Sequence, residues 1–315
     1  MKAYLDIVKD VLERGVPKHP YRVTEGKKLE NTTIGLANVV FSHDMTLGFP
    51  LLTTRRMPIK SIAVELEGFI KGITSKKWYQ DRKCKFWDGW ANPLAVKKSL
   101  EEAQERNPGI SVNDPYNVKI AKENEDDLGP IYGYQWRSFN KTYQGQNEDD
   151  GDFSNYTDQL KNVVDTLTNN PTDRRMVCSA WNPNQIHMAA LPACHMIWNV
   201  VVYGDTINLW WGQRSCDLYL GVPCNIASYA LLLTLLAKHS GLRPGNLTGL
   251  LADCHLYDNQ LDVARELISR EPSELPRLEI PNNDGEEFAF WKWDHTQMKL
   301  LGYSPQDKLS VGVVV

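Results

Sequence analysis

Between Met196 and Gly241 the chain changes its hydrophobic period abruptly, and that change narrows what it can fold into. Residues 196–211 alternate bulky and β-branched side chains, Trp198, Val200 and Val202 and then Ile207, Leu209 and Trp211, around a central Tyr203-Gly204-Asp205. Successive side chains of a strand point to opposite faces, so this spacing predicts a β-hairpin. After Pro223 the pattern becomes mostly apolar, Ile226-Ala227-Ser228-Tyr229-Ala230-Leu231-Leu232, and closes at Gly241. A helix that is apolar on most of its surface has to be enclosed, so the run predicts a central helix packed on the sheet.

The flanking sequence supplies further elements. Leu5, Val8, Val11 and Leu12 recur at helical spacing until Gly15 and Pro17 end the pattern, and residues from Thr32 through Val39, Val40 and Phe41 read as a strand. Residues 59–71 return to a helical rhythm that stops at Gly72 and contains Glu65. Residues 93–126 are polar and charged, with Pro108 and Pro115 among them, and residues 147–152 form a short acidic run; both read as surface insertions. Neither has the character of an interdomain linker, and no internal repeat is visible. One domain over residues 1–315, with a surface insertion at 93–126, is the expectation.

Composition excludes several classes of function. The chain has 315 residues, 42% of them hydrophobic, enough to bury a large core. A net charge of -4 offers no basic excess for a nucleic acid or a membrane surface, so neither is an expected partner. Met1-Lys2-Ala3-Tyr4-Leu5-Asp6 lacks the regions of a signal peptide, which gives a cytoplasmic expectation. The apolar run Tyr229 to Ala237 is interrupted by Lys238 and His239 and falls short of the roughly 20 residues that span a bilayer. Six cysteines form no CxxC pair and are expected to be reduced. The adjacent pairs Cys194-His195 and Cys254-His255 lack the spacing of ligands on one metal, so no metal is expected.

Three stretches carry chemistry: Leu191-Pro192-Ala193-Cys194-His195, the segment from Gln213-Arg214-Ser215-Cys216-Asp217 through Gly221-Val222-Pro223-Cys224-Asn225 to Tyr229, and Asp253-Cys254-His255-Leu256-Tyr257. Together they resemble the thymidylate synthase family. The resemblance extends upstream, in order, through Gly48 to Arg56, Trp87-Asp88-Gly89-Trp90-Ala91, Gly129 to Arg137 and Asp173 to Asn182. It implies an α+β fold with a large mixed β-sheet, helices packed on one face, and the other face forming a homodimer.

The resemblance also implies roles. Cys194, which by itself would read as a buried structural thiol, matches the nucleophile that adds to C6 of dUMP, and Arg214 matches the cation that favours its thiolate. The addition turns C5 into an enolate-like carbon able to attack the one-carbon unit of methylenetetrahydrofolate. Glu65, Tyr132 and His255 match the positions of proton traffic. Alone, Glu65 reads as a helix-surface carboxylate and His255 as a partner of the backbone at a strand end. Arg174, Arg175, Arg214 and Ser215 suit a phosphate clamp, the tandem arginines reaching over from the second subunit so that each site is composite. Gln213 matches a substrate contact and Tyr257 a ribose contact. Asn225 can donate to O4 of uracil and accept from N3–H, which favours dUMP over dCMP. Trp87, Trp90, Leu191 and Gly221 match the positions that pack the folate, and Asp217 matches the one that reads its pterin.

Several positions depart from the family pattern. The expected Asp-Arg-Thr-Gly loop is absent; the string Tyr21 to Thr33 stands in its place, with Arg22 and Lys28 as the available cations. Gly68 stands where a tryptophan is expected, Cys224 where a phenylalanine precedes Asn225, and Gly212 where a larger side chain precedes Gln213. If these gaps admit water to the methylene intermediate, the product becomes 5-hydroxymethyl-dUMP, as in phage members of the superfamily. The expected activity is methylation of dUMP to dTMP, with a dUMP hydroxymethylase as the alternative and a non-catalytic nucleotide-binding dimer after it.

Overall fold

The computed structural model describes residues 1–19, 32–146, 156–282 and 288–312 in full, and residues 21–24 and 27–30 by their backbone. The acidic run at 147–152 therefore lies outside the described residues, as do the side chains of Arg22 and Lys28. In chain order the elements are α1 (Lys2–Arg14), β1 (Val16–Lys18), β2 (Tyr21–Thr24), β3 (Lys27–Glu30), β4 (Thr33–Asp44), α2 (Ile59–Lys71), α3 (Lys76–Asp81), α4 (Pro93–Arg106), α5 (Pro115–Asn124), α6 (Tyr132–Ser138) and α7 (Gln159–Asn169). There follow β5 (Val177–Ser179), β6 (His195–Tyr203), β7 (Thr206–Asp217), α8 (Gly221–Ser240), β8 (Arg243–Tyr257), α9 (Leu261–Ser269), β9 (Arg277–Glu279) and β10 (Lys299–Leu301).

Six strands form one mixed sheet in the order β1-β4-β8-β7-β6-β5, antiparallel throughout except for the β7–β8 pair. The α+β expectation is met. Parallel neighbours need a long crossover, and α8 supplies it, running back along the sheet between β7 and β8. That geometry explains the sequence of α8. Leu231, Leu232, Leu233, Leu235 and Leu236 are all fully buried, so the helix is apolar on nearly every side. At 20 residues it is long and apolar enough to cross a membrane, further than its apolar run suggested, yet it is mostly buried as the core helix of the fold. Gly241 ends it with φ 68, and Gly72 ends α2 with φ 71; both are left-handed positions that cost a glycine little.

The hairpin falls where the alternation placed it, with β6 and β7 joined by a turn at Gly204-Asp205. Trp198, Val200, Ile207, Leu209 and Trp211 lie buried beneath α8 and its neighbours. The opposite face stays uncovered on this chain: Val40 is 59% and Leu250 44% exposed, and the two are register partners in the middle of β4 and β8.

Residues 93–126 contain two helices, α4 and α5. Pro93 and Pro115 open α4 and α5, while Asn92 and Asp114 accept the Leu94 and Tyr116 amides as N-caps. Val96 and Leu100 pack with Val112, Val118 and Ala121 in a cluster separate from the main core. Buried Lys76 anchors this unit, donating to the backbone carbonyls of Trp90 and Lys122 at 3.2 and 2.5 Å.

Candidate active site

The site lies where three chain ends converge: the C-terminal ends of β7 and β8 and the N-terminal turn of α8. Open sheets bind ligands at the carboxyl ends of parallel strands, and here the register sets Ser215 beside Asp253 and Asp217 beside His255. Cys194 directly precedes β6, and its carbonyl accepts the Arg214 amide at 2.8 Å. Past it the β6–β7 register slips between His195 and Ile197. An irregularity of this kind re-aims neighbouring side chains next to a site.

Cys194 is partly exposed, and Arg214 holds its loop from beneath. Arg214 Nε donates to the Ala193 carbonyl at 2.9 Å and Nη2 to the Pro192 carbonyl at 2.8 Å, with Nη2 also 3.9 Å from Cys194 Sγ. A guanidinium at that distance favours negative charge on sulfur. The Tyr132 hydroxyl receives the Cys194 amide at 2.8 Å, and its ring stacks on His195 with centroids 4.1 Å apart. Burial raises the Tyr132 phenol well above its ordinary value, so it stays protonated.

Glu65 approaches from α2. Burial pushes its carboxyl up to about 7, with the Trp87 indole opposing the rise. The same helix turns Glu67 away into an ion pair with Lys71 at 2.5 Å and contacts with His295, so only one of the two neighbouring glutamates is left to serve the site. Trp87 packs edge-on against Phe69 of α2 and Tyr132 of α6.

The base-reading end is built on amides. Gln213 Nε2 donates to Asn225 Oδ1 at 3.1 Å and to the Ser215 carbonyl at 3.0 Å. Asn225 therefore turns its oxygen toward Gln213. Asp217 accepts the Tyr219 and Leu220 amides at 3.0 and 2.9 Å and Gln260 Nε2 at both oxygens, so it also secures the turn into α8. A Cβ on Gly221 would make ordinary van der Waals contact with Asp217 Cβ at 3.6 Å and Asn225 Oδ1 at 3.8 Å, so Gly221 sits directly between these two residues.

His255 Nδ1 lies 3.1 Å from the Asp253 carbonyl, an acceptor, so that nitrogen donates to the backbone and fixes the ring. Its ring meets Tyr257 edge-to-face at 5.1 Å. His255 registers with Asp217, three residues past Arg214, which lies opposite Cys194, so it sits roughly 10 Å along the strand from the level of Cys194. Arg174 and Arg175 are exposed just before the edge strand β5, away from this cluster in the sheet order.

The thymidylate synthase sequence profile matches residues 2–315. The thymidylate synthase of Listeria monocytogenes serotype 4a (strain HCC23) is 33% identical over 336 aligned positions that span all of both chains. The chain belongs to the thymidylate synthase family. It is thus an enzyme of that methyltransferase family.

The departures at Gly68, Gly212 and Cys224 do not leave the gaps that the sequence suggests. A Cβ on Gly68 would come within 2.3 Å of the Tyr79 hydroxyl, so the ring of fully buried Tyr79 already occupies the volume of the expected tryptophan. Gly212 registers with Ile197 and Leu250 on the uncovered face of the sheet, not the helix-packed face behind the cysteine. The Cys224 thiol, held near Arg55, Glu65 and Asp217, is pushed up to about 12 by burial and stays an uncharged filler.

Four further residues lie near the site: Arg55 and Tyr229 belong to stretches that resemble the family, whereas Tyr79 and Trp211 fall outside them. Arg55 is buried, donates to the Tyr219 carbonyl at 2.5 Å, and leaves its Nε without a hydrogen-bond partner. Tyr79, Tyr229 and Trp211 support the site from behind. An aromatic inside a helix or strand pattern reads as core, and nothing local distinguishes one that packs behind a catalytic residue.

Proposed function

We propose that the protein catalyses the reductive methylation of dUMP to dTMP, with methylenetetrahydrofolate as carbon donor and reductant. The observation that carries this reading is the pairing of Cys194 Sγ with Arg214 Nη2 at 3.9 Å beside an Asn225 amide whose oxygen is already engaged. The thiolate of Cys194 adds to C6 of uracil, and Asn225 Nδ2 donates to O4 as charge develops there. C5 becomes the nucleophile.

Glu65, titrating at about 7, holds a proton at mildly acidic pH and releases it above neutrality. A group that gives and takes protons at O4 and C5 needs that property. Tyr132 keeps its own proton to donate while its oxygen accepts the Cys194 amide. Arg214 and Ser215 bind the phosphate with Arg174 and Arg175 of a second copy, and Gln213 backs the base. His255 and Tyr257, far along the strand from Cys194, meet the ribose.

Trp87, Trp90 and Leu191 give apolar walls for the folate, Gly221 packs against it beside Asn225, and Asp217 reads its pterin amine. When bound, it supplies the one-carbon unit and the hydride. Tyr79 behind Trp87 fills space that water would otherwise enter, which favours the methyl product. The uncovered apolar face around Val40 and Leu250 supports a homodimer with composite sites. The main core draws residues from Met1 to Trp293, which supports one catalytic domain with 93–126 as a helical surface insertion. Six free cysteines suit a reducing cytoplasm, and neither nucleic acid nor membrane has a part.

Incubation with dUMP and methylenetetrahydrofolate, with both products identified by mass spectrometry, tests the proposal. Dihydrofolate with dTMP is the expected result. Tetrahydrofolate with 5-hydroxymethyl-dUMP would make the protein a hydroxymethylase, and no product in either channel would leave a nucleotide-binding dimer.

A further inference from the structure

Trp211 is fully buried on β7, two residues before Gln213, and its indole N–H donates to Gln213 Oε1 at 3.1 Å. A carboxamide has an accepting end and a donating end, and its partners decide which way it points. Around Gln213 the partners leave one choice. An indole N–H can only donate, so the oxygen faces Trp211; the Ser215 backbone carbonyl can only accept, so the nitrogen faces Ser215 at 3.0 Å. That same nitrogen reaches Asn225 Oδ1 at 3.1 Å. Asn225 in turn keeps its oxygen toward Gln213 and its Nδ2 free to donate. The remaining lone pair on Oδ1 and the N–H of Nδ2 complement N3–H and O4 of uracil, whereas cytosine presents an acceptor at N3 and a donor at C4.

We infer that Trp211 is a positioning residue for base choice: through Gln213 it fixes the orientation of Asn225, and so makes the site prefer a pyrimidine with a carbonyl at C4 over one with an amino group. The inference rests on the reading of this site as one for a deoxyuridine monophosphate. Without the indole N–H, Gln213 Oε1 is left buried and unpaired, and only the Ser215 carbonyl still opposes a flip of both amides. The indole has a second task, stacking on Tyr229 at 5.1 Å and 15°, with the Tyr229 hydroxyl 2.8 Å from His195 Nδ1. Trp211→Phe keeps a flat ring in that stack and removes the donor, which separates the two tasks.

The test titrates dUMP and dCMP calorimetrically into the full-length wild type, Trp211→Phe, Gln213→Met and the double variant, with KM and kcat measured for dUMP. One lost hydrogen bond on a buried amide corresponds to roughly a tenfold loss. Trp211→Phe is expected to narrow the dUMP-to-dCMP affinity ratio by about that factor, acting on KM more than kcat. Gln213→Met should narrow it at least as much, and the double variant no further, because links of one chain are not additive. An unchanged ratio in Trp211→Phe, or effects that multiply in the double variant, overturns the inference. If Trp211→Phe does not fold, the indole 1H–15N resonance of Trp211 decides: it shifts in Gln213→Met, and an unmoved resonance overturns the hydrogen bond. Binding is read apart from turnover, so a protein that binds dUMP without forming product contradicts the proposed reaction while the ratio still decides the role of Trp211.

Discussion

Exchanging Gly68 for alanine tests whether Tyr79 has taken over the volume of the expected tryptophan. The new Cβ would lie 2.3, 2.4 and 2.5 Å from the hydroxyl, Cε1 and Cζ of Tyr79, and that ring is fully buried against Trp78 and Trp87. It has little room to retreat. Overpacking of this kind costs about 1–3 kcal/mol, and three contacts this short put Gly68 near the upper end. Against that, glycine to alanine within a helix stabilises by about 1 kcal/mol, so Gly68→Ala should destabilise the wild type by about 2 kcal/mol. Tyr79→Ala alone should cost about 3–5 kcal/mol as a large aromatic leaves its cavity. In that background the Cβ has space, only the helix term remains, and Gly68→Ala should stabilise by about 1 kcal/mol. Urea denaturation of the four proteins measures the cycle. The reversal of sign is the signature, and a Gly68→Ala effect that is equal in both backgrounds would refute the packing argument.

The same substitutions read out on chemistry. Tyr79→Ala, which removes the support behind Trp87, should raise the share of 5-hydroxymethyl-dUMP among the products measured by mass spectrometry. Cys194→Ala should abolish product formation in either channel while dUMP binding stays detectable by calorimetry, because phosphate and base contacts remain. Asn225→Asp should lower the dUMP-to-dCMP ratio of kcat/KM by about 100-fold, since it replaces a donor at O4 with an unpaired acceptor; steady-state kinetics on both nucleotides checks this. The Glu65 carboxyl is raised in the fold from an ordinary 4.5 to about 7, so the folded state binds its proton more tightly and wild-type stability falls as pH rises across that interval. Glu65→Gln should therefore gain stability over the wild type between pH 5 and pH 7.5 and then level off, as followed by thermal melting, and wild-type kcat should show an inflection near pH 7 that this variant lacks.

What could be read from the sequence was local or carried by motifs. The alternation of Trp198 to Trp211 and the apolar run after Pro223 located the hairpin and the core helix because strand and helix periods are written in neighbouring residues. The parallel pairing of β7 with β8 was not legible: it joins residues some 38 positions apart, as with Asp217 and His255, and no local period encodes it. Pro115, noted only as part of a polar surface insertion, is the first residue of α5, a position where proline's missing N–H costs nothing. The motif residues Cys194 and Arg214 meet directly and Asn225 joins their neighbour Gln213, whereas the contacts of Tyr79 with Trp87 and of Trp211 with Tyr229 join residues of different elements. Gly68 looked like missing volume only because the filler comes from α3, a helix whose approach to α2 is a tertiary fact.

The central claim is that Cys194 initiates the methylation of dUMP, and the most direct measurement follows both products of the wild type and of Cys194→Ala by mass spectrometry, in the presence of dUMP and methylenetetrahydrofolate. Equimolar dTMP and dihydrofolate from the wild type, with neither from Cys194→Ala, is the predicted result. Full turnover by Cys194→Ala would contradict it.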